Sequence, residues 1–128
     1  MSAKTKNIVA WVAQVLLTIA MLAGGLMKLV QPFEALQPDM PWVEDFGPTM
    51  VKLIGLLEVL GALGLNLPFL LKKFKQLVPL SAAGLMLTMI GAVATHVMRG
   101  EEYMAPLILT IIAALVTYLR KDLLSSSN

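Results

Sequence analysis

Three ionisable side chains stand where the chain is otherwise too apolar to hold them. Lys28 closes one greasy stretch, Glu58 lies in the middle of the next ("IGLLEVLGALG", 54–64), and His96 lies near the end of a third. A carboxyl and an imidazole are proton carriers, and an ammonium pairs with a carboxylate or polarises a substrate oxygen. The chemistry this set offers is acid–base work on a small lipophilic molecule, with Glu58 and His96 carrying protons and Lys28 steadying charge. Burial and a cationic neighbour pull a carboxyl in opposite directions, and a Glu poised between them exchanges protons near neutral pH. Lys52, Arg99, Trp42 and Thr88 are candidate ligand contacts around the three. Each has a plainer alternative. Glu58 also fits a structural ion pair with Lys28 or Lys52. Lys28 also fits a snorkelling cation, His96 an interfacial histidine, and Lys52, Arg99 and Trp42 interface anchors.

The elements that must position these residues are membrane spans. A bilayer core needs about 20 mostly apolar residues per helix. Four segments meet or approach this: about 8–27, 49–71, 77–98 and 103–119, the last the shortest. The chain is 58% hydrophobic and 14% charged, with a mean hydropathy of +0.80. Soluble domains are about 45–50% apolar and about 25% charged. The expected fold is an all-α integral membrane protein, one four-transmembrane-helix bundle over residues 1–128. The first span has the basic start and small residues of a signal peptide, but its apolar stretch is too long for one, and it is expected to be retained.

The longest connection, 28–48, contains Pro32, Pro38, Pro41 and Pro48. It cannot be one regular helix, although it allows short helical turns. Lys4, Lys6, Lys72, Lys73, Lys75, Arg120 and Lys121 flank the spans on one side. Lys28, Lys52 and Arg99 lie on the other, diluted by six acids. The positive-inside rule then places both termini in the cytoplasm of a bacterial inner (plasma) membrane.

Small residues lead to each ionisable one: Ala20, Met21, Gly24 and Gly25 to Lys28; Gly55, Gly61 and Ala62 beside Glu58; Gly84, Thr88 and Ala92 to His96. Small residues let helices approach closely, so the three tracks converge on one outward-facing pocket roofed by the 28–48 loop. Gln14 and Asn66, in the other half, read as interhelical hydrogen-bond groups. With no Cys and a single His, thiol relays, thiolate ligands, multi-His metal sites and bis-His haem are excluded, and neither a metal nor a resident cofactor is expected. The net charge of +2, carried beside apolar segments, does not make a nucleic-acid surface.

"GGLMKLVQP" (24–32), "IGLLEVLGALGLNLP" (54–68) and "LVPLSAAGLMLTMIGAVATHVMRGE" (77–101) resemble the first three spans of the DoxX-like family. The resemblance implies a small bacterial membrane protein with a four-helix bundle, and it maps Lys28, Glu58 and His96 onto recurring polar positions. It also implies a choice of roles, since relatives are linked to quinone-coupled oxidation of sulfur compounds or to oxidative-stress and detoxification complexes. Wider relatives bind or isomerise sterols. Three functions stay open. The first is binding of a lipophilic molecule with acid–base chemistry, as an isomerase, an epoxide or hydration enzyme, or a quinone-linked protein with quinone as substrate or ligand. The second is a non-catalytic accessory subunit of a membrane redox or detoxification complex. The third is a small proton-coupled transporter, which would need a homo-oligomer to build its repeats.

Overall fold

The computed structural model describes residues 1–125. Its elements are α1 (Ala3–Val30), the short α2 (Phe33–Leu36), a 3-10 turn (Pro41–Asp45), α3 (Gly47–Leu71), α4 (Leu77–Met98), α5 (Met104–Leu119) and a last 3-10 turn (Lys121–Ser125). The sequence sets their ends locally. The Ser2 hydroxyl accepts from the Thr5 N–H at 3.1 Å and caps α1, as N-cap serines do. α1 stops at Val30 because Pro32 holds Gln31 extended, at φ −77° and ψ 145°,. Gly47, at φ +84°, makes the turn into α3, and Pro48 occupies the first turn, where its missing N–H costs nothing.

α1, α3 and α4 are each long and apolar enough to cross a bilayer, and α5 is a shorter apolar helix of 16 residues. At 1.5 Å per residue α5 spans about 24 Å, short of a hydrocarbon core of about 30 Å. The four pack in a ring, α1 on α3, α3 on α4, α4 on α5 and α5 back on α1. Their shared core runs through Leu17, Met21, Leu65, Val78, Leu85, Met89 and Val116. The outside is as greasy as the inside: Ile19 is 61% exposed, Leu70 76% and Leu87 65%. That is the surface of a membrane helical bundle, where lipid replaces water as the solvent.

The first and last described segments lie at one end. Lys6 pairs with Asp122 at 3.1 Å, and Trp11 of α1 stacks on Phe69 near the end of α3 at 4.7 Å. Arg120, which reads as a flanking charge in the sequence, is instead buried at this end. It donates to the Gln14 Oε1 at 3.2 Å and the Asn7 Oδ1 at 2.9 Å, and its guanidinium lies over Trp11 and Phe69. Gln14 and Asn66 do join helices. Gln14 donates to the Leu65 carbonyl at 2.7 Å and Asn66 to the Thr18 hydroxyl at 2.9 Å.

At the other end the proline-rich connection folds into a roof. Leu36 and Val43 of the roof pack on Val51 of α3, with Phe33, Met40 and Trp42 around them. Beneath the roof α1 and α3 nearly touch. A Cβ on Gly25 would stand 2.8 Å from the Gly55 carbonyl oxygen, and one on Gly55 would stand 2.8 Å from the Gly25 carbonyl oxygen. Only glycine permits that approach from both sides. Gly25→Ala and Gly55→Ala should therefore each lower the unfolding free energy by about 1–3 kcal/mol. Gly84→Ala, at an open position of α4, should cost nothing. Denaturation in mild detergent would check this, and equal midpoints for all three variants would refute the close crossing.

Candidate functional site

The Gly25–Gly55 crossing places Lys28, one turn past Gly25, against Glu58, one turn past Gly55. Lys28 Nζ lies 2.7 Å from Glu58 Oε1. The pair is deep: Lys28 is 7% exposed and Glu58 3%. Glu58 is eleven residues into α3, about 16 Å along the helix. A bare charge there would be very costly, and an opposite charge in hydrogen-bond contact offsets most of that cost. The ammonium also lies 5.7 Å from the centre of the Trp42 ring, within cation–π range.

The pair forms part of the wall of a cavity of about 580 Å³ in the outer half of the bundle. Pockets for drug-sized ligands run from about 300 to 1,000 Å³. Its walls are Ala20, Met21, Gly24 and Lys28 from α1, Ile54, Leu57 and Glu58 from α3, the Leu87–His96 face of α4, and Ala105, Pro106 and Leu109 from α5. Met40, Trp42 and Phe46 come from the roof. Glu58, Lys28, His96, Trp42 and Thr88 thus share one cavity, as do the small tracks of Ala20, Gly24, Thr88 and Ala92. Gly25, Gly55 and Gly61 do not; they seat neighbouring helices and side chains.

Lys52 and Arg99 are not in its wall. Lys52 is exposed and donates to the Leu29 carbonyl at 3.0 Å, tying the start of α3 to the end of α1. Arg99 ties the roof to α4 instead. It reaches Asp45 at 2.7 Å, Glu44 at 3.2 Å and Glu101 at 2.9 Å. Its hydrogen bonds to Glu101 and Asp45 hold the guanidinium firmly in its charged form. The ligand contacts expected of these two residues are replaced by a latch across the cavity roof.

Glu101 is the site residue that sequence reasoning misses. His96 Nδ1 lies 3.1 Å from Glu101 Oε1. A carboxylate beside Nδ1 accepts its proton, and in the neutral ring this leaves Nε2 as the base. The signal was present in "HVMRGE". Gly100 has φ +69°, the Glu101 N–H donates to the His96 carbonyl at 2.8 Å, and the Gly100 N–H donates to the Val97 carbonyl at 3.1 Å. That is the Schellman ending of a helix, which folds the residue after the glycine back over the last turn.

Three side-chain polar atoms in the wall have no hydrogen-bond partner among the described residues: Glu58 Oε2, His96 Nε2 and the Trp42 indole Nε1. Among the described residues the one polar side-chain atom that is both sealed and unpartnered is Arg120 Nη2, at the other end of the bundle. Glu58 Oε2 therefore opens onto the cavity rather than into packed protein. His96 is not bonded to Glu58 or Lys28. The Trp42 ring lies 6.3 Å from the imidazole and beside the ammonium, so Glu58 and His96 occupy different parts of one chamber. The described residues contain no His, Asp and Glu cluster able to hold a metal ion.

A membrane helical bundle with an ion pair set into a lipophilic chamber is the class of protein that fold and site define. The chain belongs to the DoxX-like family, whose model matches residues 12–119. No curated protein and no solved structure matches it.

If the ion pair holds the crossing together, each charge should be costly to remove alone. Lys28→Met and Glu58→Leu should each destabilise the bundle by about 3–5 kcal/mol, and the double variant by less than either. A thermodynamic cycle in detergent or nanodiscs reads this, and strictly additive losses would show that the pair contributes no coupling.

Proposed function

We propose that the protein binds a small lipophilic molecule in the chamber under the roof and moves protons on it. Glu58 and His96 serve as the two acid–base groups, and Lys28 holds charge at Glu58. The observation that carries this reading is the uncovered Glu58 Oε2. A buried ion pair offsets its desolvation best when the remaining lone pairs are also hydrogen-bonded. Here Oε2 faces a space of ligand size. Glu101 is a positioning residue, since it fixes the imidazole through Nδ1. Met21, Met40 and Met89 in the wall suit an adaptable apolar surface.

Of the acid–base reactions open to such a site, isomerisation fits most simply. It removes a proton at one position and returns one at another, and it needs no co-reactant. Epoxide opening or hydration needs a water molecule admitted to the chamber. A quinone-linked reaction needs a reductant from a membrane redox partner. We place the protein in a bacterial inner membrane with both termini in the cytoplasm. The Lys72, Lys73 and Lys75 turn lies at the end that carries the first and last described segments, so the cationic flanks gather there. The chamber then opens toward the outer face. In the accessory-subunit reading, the favouring observation is the buried Lys28–Glu58 pair itself, which ties α1 to α3 whether or not anything binds.

Native mass spectrometry with lipid extraction separates the readings. Wild type should retain a small molecule that Glu58→Gln and His96→Ala lose, and Glu101→Gln should weaken retention without abolishing it. Retention of nothing by wild type, together with a loss of thermal stability in Glu58→Gln, would transfer the case to the accessory subunit. For orientation, a cysteine introduced at Lys73 should react with an impermeant maleimide in inside-out vesicles and not in intact spheroplasts.

A further inference from the structure

A second depression of about 300 Å³ lies between α3 and α4, lined by Leu60, Gly61, Ser81 and Gly84 among others. Leu57 and Thr88 line both spaces, so the two lie side by side with that pair of residues between them. From Thr88 to Ser81 the depression follows α4 for seven residues, about 10 Å of helix axis. It runs away from the roof, from the middle of α4 toward its first turns.

The glycines of α4 support the reading of this space as built in. A glycine in a helix interior is worth about 1 kcal/mol less than alanine in helix propensity, so it needs a local reason. Gly25, Gly55 and Gly61 have one: a Cβ on each would stand 2.8 Å or closer to a neighbour. Gly84 and Gly91 do not, because a Cβ on either meets nothing within 4 Å. What these two leave is open space, Gly91 in the wall of the chamber and Gly84 in the outer depression.

The polar end of the chamber restricts the head of any occupant. Lys28 and Glu58 cancel as charges, so a carboxylate head gains nothing beside the bare Glu58 Oε2, and an ammonium head gains nothing beside Lys28. A neutral hydroxyl can donate to Oε2 without bringing a charge out of water. The remaining walls are apolar. We propose that the ligand is a single-tailed amphipath of the alcohol or phenol class, its hydroxyl at Glu58 and its alkyl tail leaving between Leu57 and Thr88 to lie along Gly84 on the α3–α4 face. This rests on the binding reading above and adds the ligand class and its way in, which is lateral, from the bilayer. Lipid is as apolar as the groove, so the groove gives the tail little affinity. Its role is to let a tailed molecule place its head in the chamber while the tail stays at bilayer depth.

Two photoreactive hexadecan-1-ols test this in nanodiscs containing the full chain. One carries a diazirine near the hydroxyl and the other carries it in mid-chain; adducts are mapped by peptide mass spectrometry. The head-proximal probe should label the chamber wall, and the mid-chain probe should label residues 57–61 and 81–88. Excess unlabelled hexadecan-1-ol should compete with both. Gly84→Phe should abolish mid-chain labelling of the groove and leave the head-proximal adducts of short-chain octan-1-ol analogues in place. Glu58→Gln should remove competable labelling by both probes. A head-proximal probe that labels the chamber while the mid-chain probe labels another face, or is untouched by Gly84→Phe, overturns the lateral groove and leaves the chamber standing. Absence of competable head-proximal labelling in wild type overturns the groove and the binding reading together.

Discussion

The outer half of this bundle depends on the contact between Gly25 and Gly55. A Cβ on either residue would press against the backbone of the other helix. α1 and α3 can meet there only because neither residue has one. One turn further along each helix in sequence stand Lys28 and Glu58, and the spacing set by the glycines lets a lysine side chain reach a carboxylate at 2.7 Å. Where lipid surrounds the helices, a charge without a polar partner is expensive. The crossing and the ion pair therefore depend on each other: the glycines give the pair its geometry, and the pair makes separation of the helices expensive.

Open space follows from the same arrangement. α1 and α3 are drawn together at the glycines, while α4 presents small residues, among them Gly91, Ala92 and Thr95, on its chamber side. The sides cannot fill the middle, and a chamber remains. The roof covers it with Trp42, which lies beside both the Lys28 ammonium and the His96 ring. Arg99 pins that roof through Glu44 and Asp45 and, through Glu101, reaches the residue that orients His96. Cover, latch and imidazole thus belong to one polar network at the end of the bundle, and disturbance of one member reaches the others.

The spans were legible because hydropathy over about 20 residues is a strong signal. α4 occupies 77–98 and α3 ends at Leu71, as the apolar runs indicate, whereas α1 extends to Ala3 and Val30 at its polar ends. Lys28, Glu58 and His96 were legible because an ionisable residue in a greasy segment is conspicuous. Arg99, Lys52 and Glu101 were not, since all three lie at helix ends, where a charge needs no special reason. Their roles depend on the path of the connecting chain: on the Schellman ending at Gly100 for Glu101 and on the fold of the prolines for Arg99. Arg120 was misleading for the same reason. A basic residue after a span ordinarily faces headgroups, and only the packing of α1 beside it turns it inward.

Arg120 also bears on what Glu58 is for. Both ends of the bundle bury a cation, and they do so by different means. At the terminal end desolvation works against the guanidinium charge, and among the described residues no carboxylate pairs with it. Its partners are two neutral side-chain oxygens, from Gln14 and Asn7, and the faces of Trp11 and Phe69, with Nη2 left without one. The same means were open to Lys28, which already lies near the Trp42 ring and within 3.5 Å of the Gly24 carbonyl. Holding a cation inside this bundle therefore does not by itself require a carboxylate set eleven residues into α3. A glutamate there adds an acceptor and a proton site, and it leaves one oxygen turned to a chamber of ligand size. Those are the properties on which the proposed binding function rests.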